Sequence, residues 1–239
     1  MKRSGCRPLV IAFLLVFSVL TTNAFAQGKK SPFAPPTKID PKLPNVLLIG
    51  DSISIGYMLD VRKQLDGKAN VFRPSTNCGP TTRGVESIDE WIGDRKWDVI
   101  HWNHGLHDLK YMGPKGENLA DPAKETSKPQ VALEDYKANL KKLVERIKET
   151  GASVIWCETT PVPEGAKGRV VGDSKIYNDA AAEVMKQAGE IEINPLYDFA
   201  IKHAEMQRKA NVHYTPEGSA KLAEQVAKTV QAALAKRNR

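Results

Sequence analysis

The chain is poor in the features that would place it in several protein classes. Cysteine is scarce: three occur in 239 residues, and Cys6 lies within the first ten. Cys78 and Cys157 remain in the body of the chain, and two cysteines do not make a disulfide framework. Both fit small buried residues. No CxxC or HExxH pattern occurs, so no metal site or cofactor is signalled. Aromatic residues are 7% of the chain, and the basic residues are spread along predicted helices. A basic stripe with interleaved aromatics is missing, which argues against nucleic-acid binding. No internal repeat appears, which excludes solenoids and propellers. No apolar run is long enough to cross a bilayer.

The one apolar run outside the predicted elements, residues 9–20, follows a basic start with Lys2, Arg3 and Arg7. Ala24-Phe25-Ala26 then supplies small residues around a cleavage point. This is the pattern of a signal peptide cut after Ala26, which predicts a secreted or periplasmic protein with no stable membrane span after processing. Cys6 precedes the apolar run and so offers no lipid-attachment site. Loss of residues 1–26 takes three of the 35 basic residues and no acid, lowering the formal net charge from +7 to +4. Residues 27–43, rich in Lys, Pro and Ser, are expected to be a linker or surface arm. Residues 44–236 are expected to form one domain, long enough for a proper core. The sequence carries no signal for an oligomeric state.

Within that domain, strand and helix signals alternate. Residues 46–49 form a continuous apolar run, as in a strand buried on both faces. Further strands are predicted at 69–72, 97–102, 153–158 and 191–193. Helices are predicted at 55–65, around 85–92, 133–147 and 177–185, over 198–208, and from Pro216, with Thr215 as its N-cap. Residues 113–130 read as a long polar loop, a candidate lid or specificity element. No hairpin signal is visible. The expected fold is therefore α/β, a three-layer α/β/α sandwich on a mainly parallel, flavodoxin-like five-stranded sheet.

Polar residues gather after the strands, where ligands bind in parallel sheets. Gly50-Asp51-Ser52 lies where the first strand becomes a helix. There Ser52 fits either a helix cap or a nucleophile beside free N–H groups. His213 fits either a structural residue ahead of the last helix or a general base. His101, His104 and His107 share no common face, which argues against a metal. Trp91, Trp97, Trp102 and Trp156 fit core positions. Arg83 is either a solvated arginine or an anion clamp, and residues 159–163 line the expected mouth of a site.

Taken in order, these blocks resemble those of the SGNH (GDSL-type) hydrolases. Gly50-Asp51-Ser52 is similar to that family's nucleophile block, and residues 77–84 to the block whose glycine, here Gly79, donates to the oxyanion. Gly105-Leu106-His107-Asp108 stands in place of Gly-x-Asn-Asp, so His107 replaces the usual donor, with Asn103 as a nearby substitute. His213 matches the base. Ala210 occupies the position of the acid that orients it, so Asn211, a backbone carbonyl, Glu158 or Glu164 must hold the imidazole if anything does. The resemblance implies a serine esterase working through a Ser52 acyl-enzyme. The backbone N–H groups of Ser52 and Gly79 would act with His107 in the oxyanion hole. Together with export, it implies a small-molecule or polysaccharide ester substrate, with O-acetyl carbohydrate as the expectation. Ala210 and His107 motivate a rival, a non-catalytic glycan-binding module on a decayed hydrolase fold. An acyltransferase would use the same acyl-enzyme.

Overall fold

A computed structural model describes residues 31–189 and 191–237. The expected signal peptide, its cleavage point after Ala26 and the first residues of the linker lie outside them. The strand β1 (Asn45–Ile49) is followed by helix α1 (Ser52–Gln64), β2 (Asn70–Phe72), α2 (Thr81–Ile92) and β3 (Val99–Trp102). Next come two short strands, β4 (Tyr111–Met112) and β5 (Lys128–Pro129), and then α3 (Leu133–Lys148), β6 (Ser153–Cys157) and α4 (Asp173–Gln187). The chain continues through β7 (Glu192–Asn194), α5 (Leu196–Ile201), a 3-10 turn at Ala204–Met206 and α6 (Pro216–Arg237).

Five strands form one sheet in the order β2-β1-β3-β6-β7, every neighbouring pair parallel. This is the flavodoxin-like order, with its switch point between β1 and β3. The sheet forms because its central strands are apolar on both faces: Val46 to Ile49 and Val99 to Trp102 are all buried. Trp102 and Trp156 are register neighbours on β3 and β6, and their rings meet edge to face at 4.8 Å. Helices α1, α5 and α6 pack together on one face, and α2, α3 and α4 on the other. Burial of an amphipathic stripe drives each; in α3 it comprises Tyr136, Leu140, Leu143, Val144 and Ile147.

Asn194 joins three elements within the core. Asn194 donates to His101 Nε2 at 3.0 Å and accepts from Gln225, which ties β7 to β3 and α6. Full burial pushes His101 down to about 4, so it is neutral at physiological pH. Cys78 and Cys157 are both free and buried. No described helix is long and apolar enough to cross a membrane.

Two local expectations change. Residues 113–130 are not a plain loop, because β4 and β5 close its base as an antiparallel ribbon. Each strand contributes two residues, too few for any alternation to show in sequence. The predicted helix over 198–208 is instead α5, which ends at Ile201, followed by the 3-10 turn. Of the two readings of the polar segment, a linker or a surface arm, the described residues from Ser31 match the arm. The Asn70 side chain accepts from the Asp40 N–H and donates to the carbonyls of Asp40 and Leu43.

Candidate active site

The β1–α1 junction places Ser52. Asp51 is extended at the N-cap position of α1, and its Oδ1 accepts the Ile53 N–H at 2.9 Å. Asp51 therefore does the capping, and the Ser52 hydroxyl is left for another partner. The Ser52 N–H opens the helix and has no acceptor within it. Behind this turn lies Arg73, which is buried. Its guanidinium donates to the carbonyls of Gly50, Pro74 and Thr76 and to Ser54 Oγ, at 3.1–3.2 Å. Ser54 Oγ donates in turn to the Asp51 carbonyl at 2.8 Å. Sequence reasoning missed Arg73; the only hint is a cation directly after a buried strand.

His213 comes from the segment between the 3-10 turn and α6. A Gln207–Tyr214 bridge closes that segment, and Gln207 Nε2 donates to the Pro161 carbonyl at 2.9 Å. Residues 159–163 thus brace the histidine segment. His213 Nε2 lies 2.8 Å from Ser52 Oγ, and Nδ1 lies 2.8 Å from Asn211 Oδ1. The Asn211 oxygen also accepts the His213 backbone N–H at 3.0 Å. A backbone N–H can only donate, so the amide atom facing it must be oxygen. That oxygen therefore accepts Nδ1–H as well, leaving the Nε2 lone pair toward the serine hydroxyl. Burial lowers the proton affinity of His213, and Arg208 and Arg169 lower it further, while Asp51 opposes them. Ala210 stands in the left-handed region at φ 52°, within the turn that presents Asn211.

The other candidate groups divide. Both His213 ring nitrogens are engaged, so neither Glu158 nor Glu164 orients the ring; Glu158 instead accepts the Tyr197 N–H at the start of α5. Of the three side chains the sequence offered, Asn211 is the one in contact, and its separation of two residues lets one amide serve the ring and the backbone together. Gly79, at φ 61°, donates its N–H to Asn77 Oδ1 at 3.0 Å, so this N–H is already occupied. One N–H of Asn103 goes to the Cys157 carbonyl at 2.8 Å, which turns that amide toward the sheet. His107 is half-buried, and burial chiefly lowers its proton affinity, with Lys110, Arg169 and His213 adding to that and Asp51 opposing it. Arg83 donates to Thr76 Oγ1 and lines a separate cleft with Phe33 and Trp91, away from Ser52.

Two buried groups join the loops. His104 Nδ1 donates to the Gly79 carbonyl at 2.9 Å. Asp108 Oδ1 accepts from both the N–H and the hydroxyl of Thr81, at 2.8 and 2.6 Å. Burial pushes Asp108 up to about 7 despite those bonds. Gly105 sits against Thr159 so tightly that a Cβ there would come within 2.8 Å of it. No group of three or more metal-ligating side chains occurs among the described residues.

Ser52 and His213 open on a cleft of about 340 Å³, lined also by Ile53, Asp60, Arg208, Tyr214 and Ser219. A three-layer α/β fold with a serine–histidine pair at the carboxyl ends of its strands defines the class of hydrolases that act through an activated serine. A family profile for the GDSL-like lipase/acylhydrolases matches residues 46–226, and the chain belongs to that family. It is thereby an ester hydrolase of SGNH type. No curated protein sequence matches it. Its fold is similar to that of the acetyl xylan esterase AlAXEase, at 12% identity and TM-score 0.60 over 78% of this chain and 99% of that one. A lipase/acylhydrolase from Enterococcus faecalis aligns at 16% identity and TM-score 0.63, over 80% and 96%. The acetylxylan esterase Axe2 from Geobacillus stearothermophilus aligns at 16% and 0.62, over 78% and 94%.

Proposed function

We propose that the protein is an exported serine esterase that cleaves short-chain esters, O-acetyl groups on carbohydrate foremost, through an acyl-enzyme on Ser52. The observation that carries this is the 2.8 Å approach of His213 Nε2 to Ser52 Oγ, with Asn211 fixing the ring's other nitrogen. His213 takes the serine proton as Oγ attacks the ester carbonyl. The tetrahedral oxyanion is met by the Ser52 N–H and by His107. The Gly79 N–H joins them once the Asn77 side chain shares or releases it. Each such donor is typically worth about 3–4 kcal/mol of barrier. The imidazolium then protonates the leaving alcohol, and water, deprotonated by the same histidine, releases the acid.

Asn211 supports catalysis over the rival of a decayed glycan-binding module, because it gives the base an orienting partner that Ala210 does not. The polar lining of the cleft and the fold shared with acetyl xylan esterases favour a sugar ester. Export rests on the leader pattern of residues 1–26, and N-terminal sequencing of the released protein should find Gln27 first. Purified protein starting at residue 27 should hydrolyse 4-nitrophenyl acetate and release acetate from acetylated xylan. Ser52→Ala should reduce kcat by about 10⁶. Equal turnover by the variant and the native enzyme would refute the esterase.

A further inference from the structure

The cleft beside Ser52 and His213 runs along one face of α1. Ser52, Gly56 and Asp60 are spaced by four, so they follow one another down that face, and the helix rises about 12 Å from the first to the last. The rest of the lining comes mainly from one stretch of chain, with Arg208, His213, Pro216 and Ser219. Gly79 and His107, which the esterase reading turns toward the oxyanion, do not line it. His213 must hand its proton to the leaving alcohol, so that oxygen lies beside Nε2, at the head of this cleft. The cleft therefore continues from the alcohol half of the ester rather than from the carbonyl oxygen.

Its polar groups suit a neutral polyol. Asp60 brings a carboxylate and Arg208 a guanidinium. Among the described residues, neither pairs with the other or with any other charged side chain. An anionic ligand would be drawn to one and repelled by the other. A plain hydrocarbon would strip water from both and return no hydrogen bond. A ring of hydroxyls answers both at once, since a hydroxyl donates to the carboxylate and accepts from the guanidinium. Gly56 gives such a ring room. Glycine is disfavoured inside a helix, yet Gly56 lies in the middle of α1 and is exposed. A Cβ there would come within 3.2 Å of Ser219 Oγ on α6, so a side chain would narrow the cleft between the two helices.

We infer that this cleft is the subsite for the alcohol half of the ester, that the half it takes is a neutral polyhydroxylated ring held between Asp60 and Arg208, and that Gly56 keeps the floor open for it. The inference rests on the esterase reading above and says which half of the substrate is recognised, and by which residues.

Three neutral acetates test it: a mono-O-acetylated methyl xyloside, cyclohexyl acetate, whose ring has no hydroxyls, and ethyl acetate. The xyloside should exceed cyclohexyl acetate in kcat/KM by about 10-fold, the lower end of what a hydrogen bond to a charged group is worth. Asp60→Ala and Arg208→Gln should each lower that ratio, and the double variant should bring it to about one. Gly56→Ala should lower kcat/KM on both ring acetates against ethyl acetate by about 10-fold, the lower end for one carbon's misfit in a pocket. Arg208 is exposed, so its variant reports even if Gly56→Ala disturbs the packing of α1 on α6. 4-Nitrophenyl acetate and butyrate differ only in the acyl half, and Gly56→Ala should keep their ratio at the native value. A selective loss on the butyrate puts the acyl group in the cleft and overturns the assignment. Ser52-dependent turnover with equal kcat/KM on the xyloside and cyclohexyl acetates also overturns it and leaves the esterase intact. Absence of Ser52-dependent turnover on all five defeats the esterase itself, and the subsite with it.

Discussion

The two halves of the proposed Ser52–His213 pair are held in opposite ways. Ser52 sits on a buried turn gripped from behind by Arg73, capped by Asp51 and closed by Ser54. His213 sits on a partly exposed segment, steered by Asn211 from two residues away and secured at one end by Gln207. The position of Ser52 is thus written into the core, where disturbing it costs folding free energy. The position of His213 is written into a short surface turn, where disturbing it is expected to cost rate alone.

The sharpest way to break this contrast is at Arg73. Arg73→Met removes the guanidinium bonds to the Gly50, Pro74 and Thr76 carbonyls and the Ser54 hydroxyl, leaving Gly50 only its bond from the Cys78 N–H, and should cost about 3 kcal/mol of stability, together with activity. Urea melts beside kcat check both; an unchanged midpoint would show that the turn holds itself. Asn211→Ala should do the reverse. We expect kcat to fall about 10²-fold, the cost of a misplaced catalytic group, with the melting temperature essentially unchanged.

A smaller effect concerns the braces between loops. Asp108 is pushed up to about 7 by burial, above its ordinary value of 3.8. The folded state therefore binds a proton more tightly than the unfolded one, so this group's stabilisation is present below about pH 4. It is lost as pH rises to 7. Asp108→Asn keeps an acceptor for Thr81 and abolishes that loss. Its urea midpoint should gain on the native protein by about 1 kcal/mol per pH unit between pH 4 and 7. The smallest effect lies on the base side. His213 is lowered from its ordinary 6.5, so the acid limb of kcat/KM for a neutral ester should fall below pH 6.5. Arg208→Gln should move that limb upward.

Most of the fold was legible because its signals are local and strong. Runs such as Val46 to Ile49 and the stripe of α3 follow directly from burial and period. Ser52 and His213 were legible as candidates because block order survives even at low identity. The ribbon of β4 and β5 was not, since two residues show no period. Arg73, the His104–Gly79 bond and the Asp108–Thr81 bond were hidden for another reason. Each joins residues whose proximity exists only after the sheet has assembled, and no local pattern marks them. The partner of His213 was among the options, but only the double use of one amide oxygen separates Asn211 from Glu158 and Glu164.

Because Asn211 and His213 share one tight turn, the base travels with its own steering group. Families that rely on a distant acid must keep two pieces of chain in step whenever a loop is rebuilt. Here the imidazole and its partner lie within one tripeptide and move together, while the Gln207 bond to the Pro161 carbonyl anchors the turn that carries both, so remodelling of the mouth is freest where it spares those two residues.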